Sequence, residues 1–416
     1  MRVIVIGAGA AGTMAAIFAA SQGAETLLLE RTKDGGRKIL ISGGGRCNIL
    51  PAGVDESRFV TDSSPHTLRN ILRSWPLREQ IEFFERDASI PLMEETASAK
   101  LFPKSESARD VRDRLLALAR ARGATIVPGV AVTDIELSGP AEWRVSQQDG
   151  APFLANAVIV ATGGLSVPAT GSDGVGLAIA ERLGHTINRT YAALTPLTVQ
   201  DSGNLFEKGS QNPFSKLAGI SLTVTISARA RNLHAATTGG FLFTHNGYSG
   251  PAVLDVSHVA VRSREEMDEP ARIAMRWAPL DDAAWEEALR PLGTRTVLNA
   301  VSNHLPGRLA EALLALAGID ARRKLAQMTR SERGRLIGTL VRGELPWSGD
   351  EGYKKAEVTG GGVALSEIDP RTMESRRHPG LFFCGEMLDA FGPIGGYNFL
   401  WAWATGRAAG IGAASR

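Results

Sequence analysis

The chain has 416 residues, 44% of them hydrophobic and 22% charged, with a formal net charge of +2. That length exceeds what one hydrophobic core usually serves, so two or three domains are expected, and the charge balance argues neither for nor against a polyanionic partner. Two cysteines, Cys47 and Cys384, are too few for a disulfide framework or a zinc site, and no CxxC, HExxH or EF-hand spacing occurs. No apolar run is long enough to span a bilayer, and the first strand begins too early to leave room for a signal peptide. A cytoplasmic protein without structural metal or membrane partner is expected.

Residues 2–30 carry the strongest signal. An apolar run, Val3 to Ile6, leads into Gly7-x-Gly9-x-x-Gly12. A small-residue helix follows, then a second apolar run, Leu27 to Leu29, ending in Glu30. Gly7 allows a tight strand-to-helix turn, Gly9 lets a pyrophosphate approach the backbone, and Gly12 lets helix and strand pack closely. Ala10 and Ala11 open a helix whose free N–H groups and positive dipole end suit phosphates. Glu30 stands where a carboxylate can accept hydrogen bonds from a ribose diol. A lone GxGxxG is weak evidence; strand, helix, second strand and acid together predict a bound dinucleotide.

Further along, residues 64–87 and 107–122 read as amphipathic helices. Ile126 to Ile135, Trp143 to Ser146 and Ala157 to Ala161 read as strands. After about residue 190, Leu222, Val224 and Ile226 alternate with polar residues, as do Ile273, Met275 and Trp277, predicting half-buried antiparallel strands. Helices then take over: Asp281 can cap one, and Thr329-x-x-Glu332 forms a capping box before another. The chain then returns to a strand, Leu381 to Cys384, a glycine-rich loop and a helix beginning near Asn398. The fold expected is α/β: a Rossmann-like, glutathione-reductase-like FAD-binding domain (residues 1–190 and 346–416). It is split by a β-barrel-like domain (191–279) carrying a small helical insert (280–345).

The stretch 380–410 points to a flavin. A strand delivers Gly385 and Glu386 at its carboxyl edge, where α/β sheets bind ligands, and Glu386 can bond ribityl hydroxyls. Gly392, Gly395 and Gly396 let the backbone pass close to a flat ring. The helix that follows can turn its N-terminus to the ring edge that becomes negative on reduction. The loop 35–48, GGRKILISGGGRCN, offers a backbone nest in which Gly44 and Gly45 lie, with Lys38 and Arg46 for phosphates or substrate. Cys47 is either a proton donor or a buried filler. His245, in FLFTHNGYSGPAVL (241–254), is a second proton-transfer candidate.

The fingerprint, GRKILISGGGRCN, LFTHNGYSGPAVL, EVTGGGV and GEMLDAFGPIGGYN together resemble the BaiN/YhiN family of NAD(P)/FAD-dependent oxidoreductases over essentially the whole chain. The resemblance implies FAD contacts at Gly7, Gly9, Gly12, Glu30, Gly45 and Arg46, at Thr162 and Gly163, and at Gly385, Glu386, Gly396, Asn398 and Phe399. Ala10, Ala11, Arg31, Lys38, Gly44, Cys47, Val130, Ala161 and Tyr397 complete the candidate cofactor-binding set. Leu400 departs from the pattern, where members often carry glutamine.

The function expected is an FAD-dependent oxidoreductase moving hydride between flavin N5 and a small organic substrate. Tyr397 is the first candidate to orient substrate, with His245 and Cys47 as proton-transfer candidates. No second strand-GxGxxG-helix unit is present, so NAD(P)H would bind transiently as a diffusible reductant, or oxygen would accept electrons. The alternatives are a flavin-dependent RNA uridine reductase, for which the basic runs Arg322–Lys324 and Arg376–Arg377 are weak support, a small-amine oxidase, and a flavin-dependent sensor.

Overall fold

The computed structural model describes residues 1–199, 212–267 and 269–416. Its contacts divide the chain into two compact units, residues 1–192 with 357–416, and residues 193–356.

The first unit is built on a five-stranded parallel sheet. In chain order its elements are β1 (Arg2–Ile6), α1 (Ala10–Ser21), β2 (Glu25–Glu30), α2 (Ala108–Ala121), β3 (Thr125–Pro128), β4 (Ala157–Val160), β5 (Leu381–Phe383) and α3 (Tyr397–Ala414). The strand order is β5-β4-β1-β2-β3, with Val3 level with both Ala157 and Thr26. The central strands are short apolar runs buried on both faces, as parallel strands covered by helices must be.

Helices α1 and α3 pack unusually close, and small residues permit it. A Cβ added at Gly406 would stand 2.3 Å from the Ala11 carbonyl oxygen, and one at Gly410 2.3 Å from that of Ala15. Sequence and structure differ in detail. The expected helix 64–87 is two helices, Pro65–Arg73 and Leu77–Glu82, because Pro76 interrupts it. The expected strand Ile126–Ile135 breaks after Pro128, where Gly129 has φ +80°, and resumes as Val132–Gly139.

The second unit holds a seven-stranded sheet whose pairings are all antiparallel. Its long strands are Ser221–Ala230 and Leu233–Phe243, backed by the helix Pro251–Glu266. The strands lie in an open row, and among the described residues no pairing closes them into the expected barrel. The helices between 282 and 342 do not form a core of their own. Trp285, Leu309, Leu313, Leu336 and Leu340 share one hydrophobic cluster with Val224, Ile226, Met275 and Trp277 of the strands. Asp281 caps its helix through Ala284 N–H, and Thr329 and Glu332 form the reciprocal box.

Candidate functional site: the carboxyl edge of the parallel sheet

The three fingerprint glycines have different reasons for being glycine. Gly7 has φ +102°, and a Cβ there would lie 2.6 Å from the Ala161 carbonyl oxygen. A Cβ at Gly12 would lie 1.9 Å from the Gly7 carbonyl oxygen. Protein packing therefore accounts for both. Gly9 precedes α1 with φ −76°, and a Cβ there meets nothing within 4 Å. Neither strain nor crowding asks for glycine at that position, and no side chain caps the helix that Ala10 and Ala11 begin. Open space before an uncapped helix N-terminus is what a diphosphate requires.

Glu30, nearly buried, is fixed by the chain. Its Oε2 accepts from Ala8 N–H at 2.8 Å, and its Oε1 accepts from Thr32 N–H at 2.7 Å and Thr32 Oγ1 at 2.5 Å. An ionised carboxylate has roughly four acceptor sites, so the chain leaves about one for a ligand hydroxyl. Val130 N–H bonds the Glu30 carbonyl oxygen at 2.9 Å, which places its backbone beside the acid. Arg31 pairs with Asp173 and so reaches the loop after β4.

Lys38 and Glu386, 348 positions apart, meet in a polar cluster. Lys38 Nζ lies 2.6 Å from Glu386 Oε2 and 2.5 Å from Ser166 Oγ. Glu386 Oε1 accepts from Ser166 Oγ and from Thr359 N–H at 2.9 Å. Thr359 Oγ1 in turn accepts from the amides of Leu165 and Ser166. Ser166 and Thr359 escaped the sequence reading; the signal for Thr359 was its place in ValThrGlyGlyGly. Nearby, Ala161 N–H bonds Ile6, Thr162 Oγ1 contacts the Met387 sulfur at 3.3 Å, and Gly163 has φ +77°. Gly385, at φ +76°, leaves only 2.7 Å between a notional Cβ and that of Ala11.

The glycine loop takes consecutive left-handed conformations, φ +54°, +67° and +87° at Gly43, Gly44 and Gly45. Space is open at Gly44 and Gly45, and the preceding Ile41 is an exposed large hydrophobic residue. Arg46 turns to protein partners instead: Glu95 at 3.1 Å, Glu106 at 3.4 Å, and the Phe102 ring 4.2 Å below the guanidinium. Cys47 is wholly buried, and burial pushes its thiol up to about 12.

The flavin-end motif folds around itself. Gly396 precedes α3 at φ +96°. Asn398 clasps Gly392 by two hydrogen bonds of 2.9 Å, donating to its carbonyl oxygen and accepting from its amide. Tyr397 begins the helix one residue earlier than expected. It is buried, its hydroxyl donating to Gly53 O at 3.2 Å and accepting from Asp55 N–H at 3.4 Å. Phe399 stacks on Trp403. His245 lies in the other unit, on the exposed turn between Leu233–Phe243 and Gly247–Ser249.

A parallel sheet with a fingerprint turn at its carboxyl edge and a second glycine turn beside it defines a Rossmann-type fold. The model of the HI0933-like protein Rossmann domain matches residues 1–412, and the chain belongs to that family, the one its motifs resemble. It is 33% identical over 423 residues to the 3-dehydro-bile acid delta(4,6)-reductase of Clostridium scindens, covering 100% of this chain and 99% of the relative. It is 33% identical over 406 residues to the ribosomal RNA dihydrouridine synthase of Escherichia coli, covering 97% and 95%. Among solved structures it is similar to the 3-ketosteroid-delta4-(5alpha)-dehydrogenase of Rhodococcus jostii RHA1, with 18% identity, TM-score 0.49, and 100% and 97% coverage. Among the described residues no helix is long and apolar enough to cross a membrane, and no three His, Cys, Asp or Glu residues group as metal ligands.

Proposed function

We propose that the chain is an FAD-dependent reductase of carbon–carbon double bonds conjugated to a carbonyl, with NAD(P)H as electron donor. The observation that carries the FAD assignment is Gly9: a glycine that the protein's own packing does not need, at the head of an uncapped helix. The first unit supplies the cofactor-binding residues on this reading. Gly9, Ala10 and Ala11 receive the diphosphate, Glu30 the adenosine ribose, and the nest at Gly44 and Gly45 a further anionic or carbonyl edge. The amides that open α3 after Gly396 face the flavin ring, and the Lys38–Glu386–Ser166 cluster orients a carboxylate toward the ribityl chain. Bound flavin supplies hydride chemistry; the chain's groups bind, orient and exclude water.

The named relatives support the reaction class. Reduction of a Δ4,6 double bond in a 3-oxo bile acid and reduction of uridine to dihydrouridine both saturate a bond conjugated to a carbonyl. A small-molecule substrate is the first reading. RNA uridine is the second, favoured by the unpaired arginines described below. The test is anaerobic. Purified protein should release FAD on denaturation. NADH or NADPH should bleach the native protein, and a conjugated enone or a uridine-containing RNA should restore the colour. Release of FMN, or no flavin even after reconstitution with FAD, would sink the assignment.

A further inference from the structure

The long strands of the second unit bury one face and leave the other open. On the open face, the registers place His234 opposite Arg229 on one side and Arg272 opposite Arg229 on the other. All three side chains are exposed. Four residues along the same strand, Arg276 stands opposite Thr225, whose hydroxyl meets that of Thr238 at 2.8 Å. Between these rows lie Ser227, Ala236 and Ala274, small residues that keep the face clear.

Directly opposed like charges on neighbouring strands, about 5 Å apart, destabilise a sheet. Some arginines of this unit are paired with acids, as in Arg333–Glu286 and Arg342–Asp282. Arg229 and Arg272 have no such partner among the described residues. The acids that reach this face stand at its border. Glu344 pairs with Ala274 from the edge strand, and Asp282, already held by Arg342, lies within electrostatic reach of Arg276. A sheet face that sets Arg229 directly opposite Arg272, with hydroxyls alongside and no large apolar group among the described residues, is suited to an extended anion. Arg272 and Arg276 are about 13 Å apart along their strand.

We propose that this face binds the phosphodiester backbone of a nucleic acid, with Arg229, Arg272 and Arg276 as phosphate contacts. The inference stands on binding alone and does not rest on the reductase reading, though it gives the uridine alternative a surface on which to hold RNA. The holoprotein is titrated into a fluorescent single-stranded RNA and into the same sequence as DNA, at several salt concentrations, with anisotropy as the readout. Three contacts should give a slope of log K against log salt near −2, and R229A/R272A should reduce it to roughly −0.7. Affinity in the double variant should fall at least about tenfold.

Binding of RNA alone assigns RNA as the partner; equal binding of both assigns a backbone reader blind to the 2′-hydroxyl. The variant should keep its flavin, its enone turnover and its melting temperature, which relief of repulsion would raise rather than lower. Salt-independent or absent binding by the wild type would overturn the proposal. So would a double variant that binds like the wild type, or one that melts markedly earlier. A wild type that binds RNA but reduces no enone would instead count against the reductase reading.

Discussion

Gly9 can be separated from its neighbours by substitution. Gly7 and Gly12 are hemmed in by backbone atoms, so side chains there attack the fold. Gly9→Val should fold, at a cost of about 1 kcal/mol for the altered helix start, and be colourless because its methyls fill the diphosphate's space. Full flavin occupancy in that variant would refute the role. At Cys47, burial holds the thiol protonated at neutral pH. Native protein at pH 8 should therefore resist a thiol-specific reagent, and Cys47→Ala should leave the pH profile of turnover unchanged. Rapid labelling would show that the thiol is accessible after all. Tyr397 has its hydroxyl engaged by residues 53 and 55. Tyr397→Phe should cost about 1 kcal/mol of stability and leave kcat close to the wild type. A fall of about a hundredfold would restore it as the substrate-orienting residue.

Between elements, α1 fits closely against α3. Gly406→Val would drive a branched side chain into the Ala11 carbonyl, 2.3 Å from where its Cβ must stand. A loss of about 3 kcal/mol or more in urea unfolding is expected, together with flavin loss on the proposed reading, in which Ala11 helps receive the diphosphate. This contact also shows how far the sequence could be read. The turn from Gly7 to Gly12 and Glu30 were legible because each has a local cause within thirty residues. Asp281 and the Thr329–Glu332 box were legible for the same reason. The Lys38–Glu386–Ser166–Thr359 cluster was not, because its members lie on four separated segments that only the closed sheet brings together. The open seven-stranded sheet was missed because alternation reveals that strands have a buried face, not whether the row closes. The helices after 281 read as a separate insert because their capping is local, whereas the core they share with the strands is not.

For the molecule as a whole, one ion pair gives acid stability a definite window. The Arg377 hydrogen bond, aided by Thr186, lowers the Glu367 carboxyl from 4.5 to about 2. A carboxyl depressed in the folded state stabilises fully above its unfolded value, and that stability is lost as pH falls through the folded one. The urea midpoint should therefore decline between about pH 4.5 and 2, and Arg377→Ala should move the acid limb to higher pH. An unchanged limb would show that Glu367 contributes nothing there. The order of the chain has another consequence. The first unit is closed by its last 60 residues, which bring β5 to the sheet edge and α3 onto α1. On a ribosome adding ~5–20 residues per second, the N-terminal 192 residues wait roughly ten to thirty seconds while residues 193–356 emerge. The second unit is continuous and has no such wait. Throughout that interval the alanine stripe of α1 lacks its glycine partner, so the Gly7–Gly12 turn gains that support only once residues 397–414 have emerged. A transcript truncated before residue 397 would yield a chain with the whole Gly7–Gly12 turn and without the helix that packs against it.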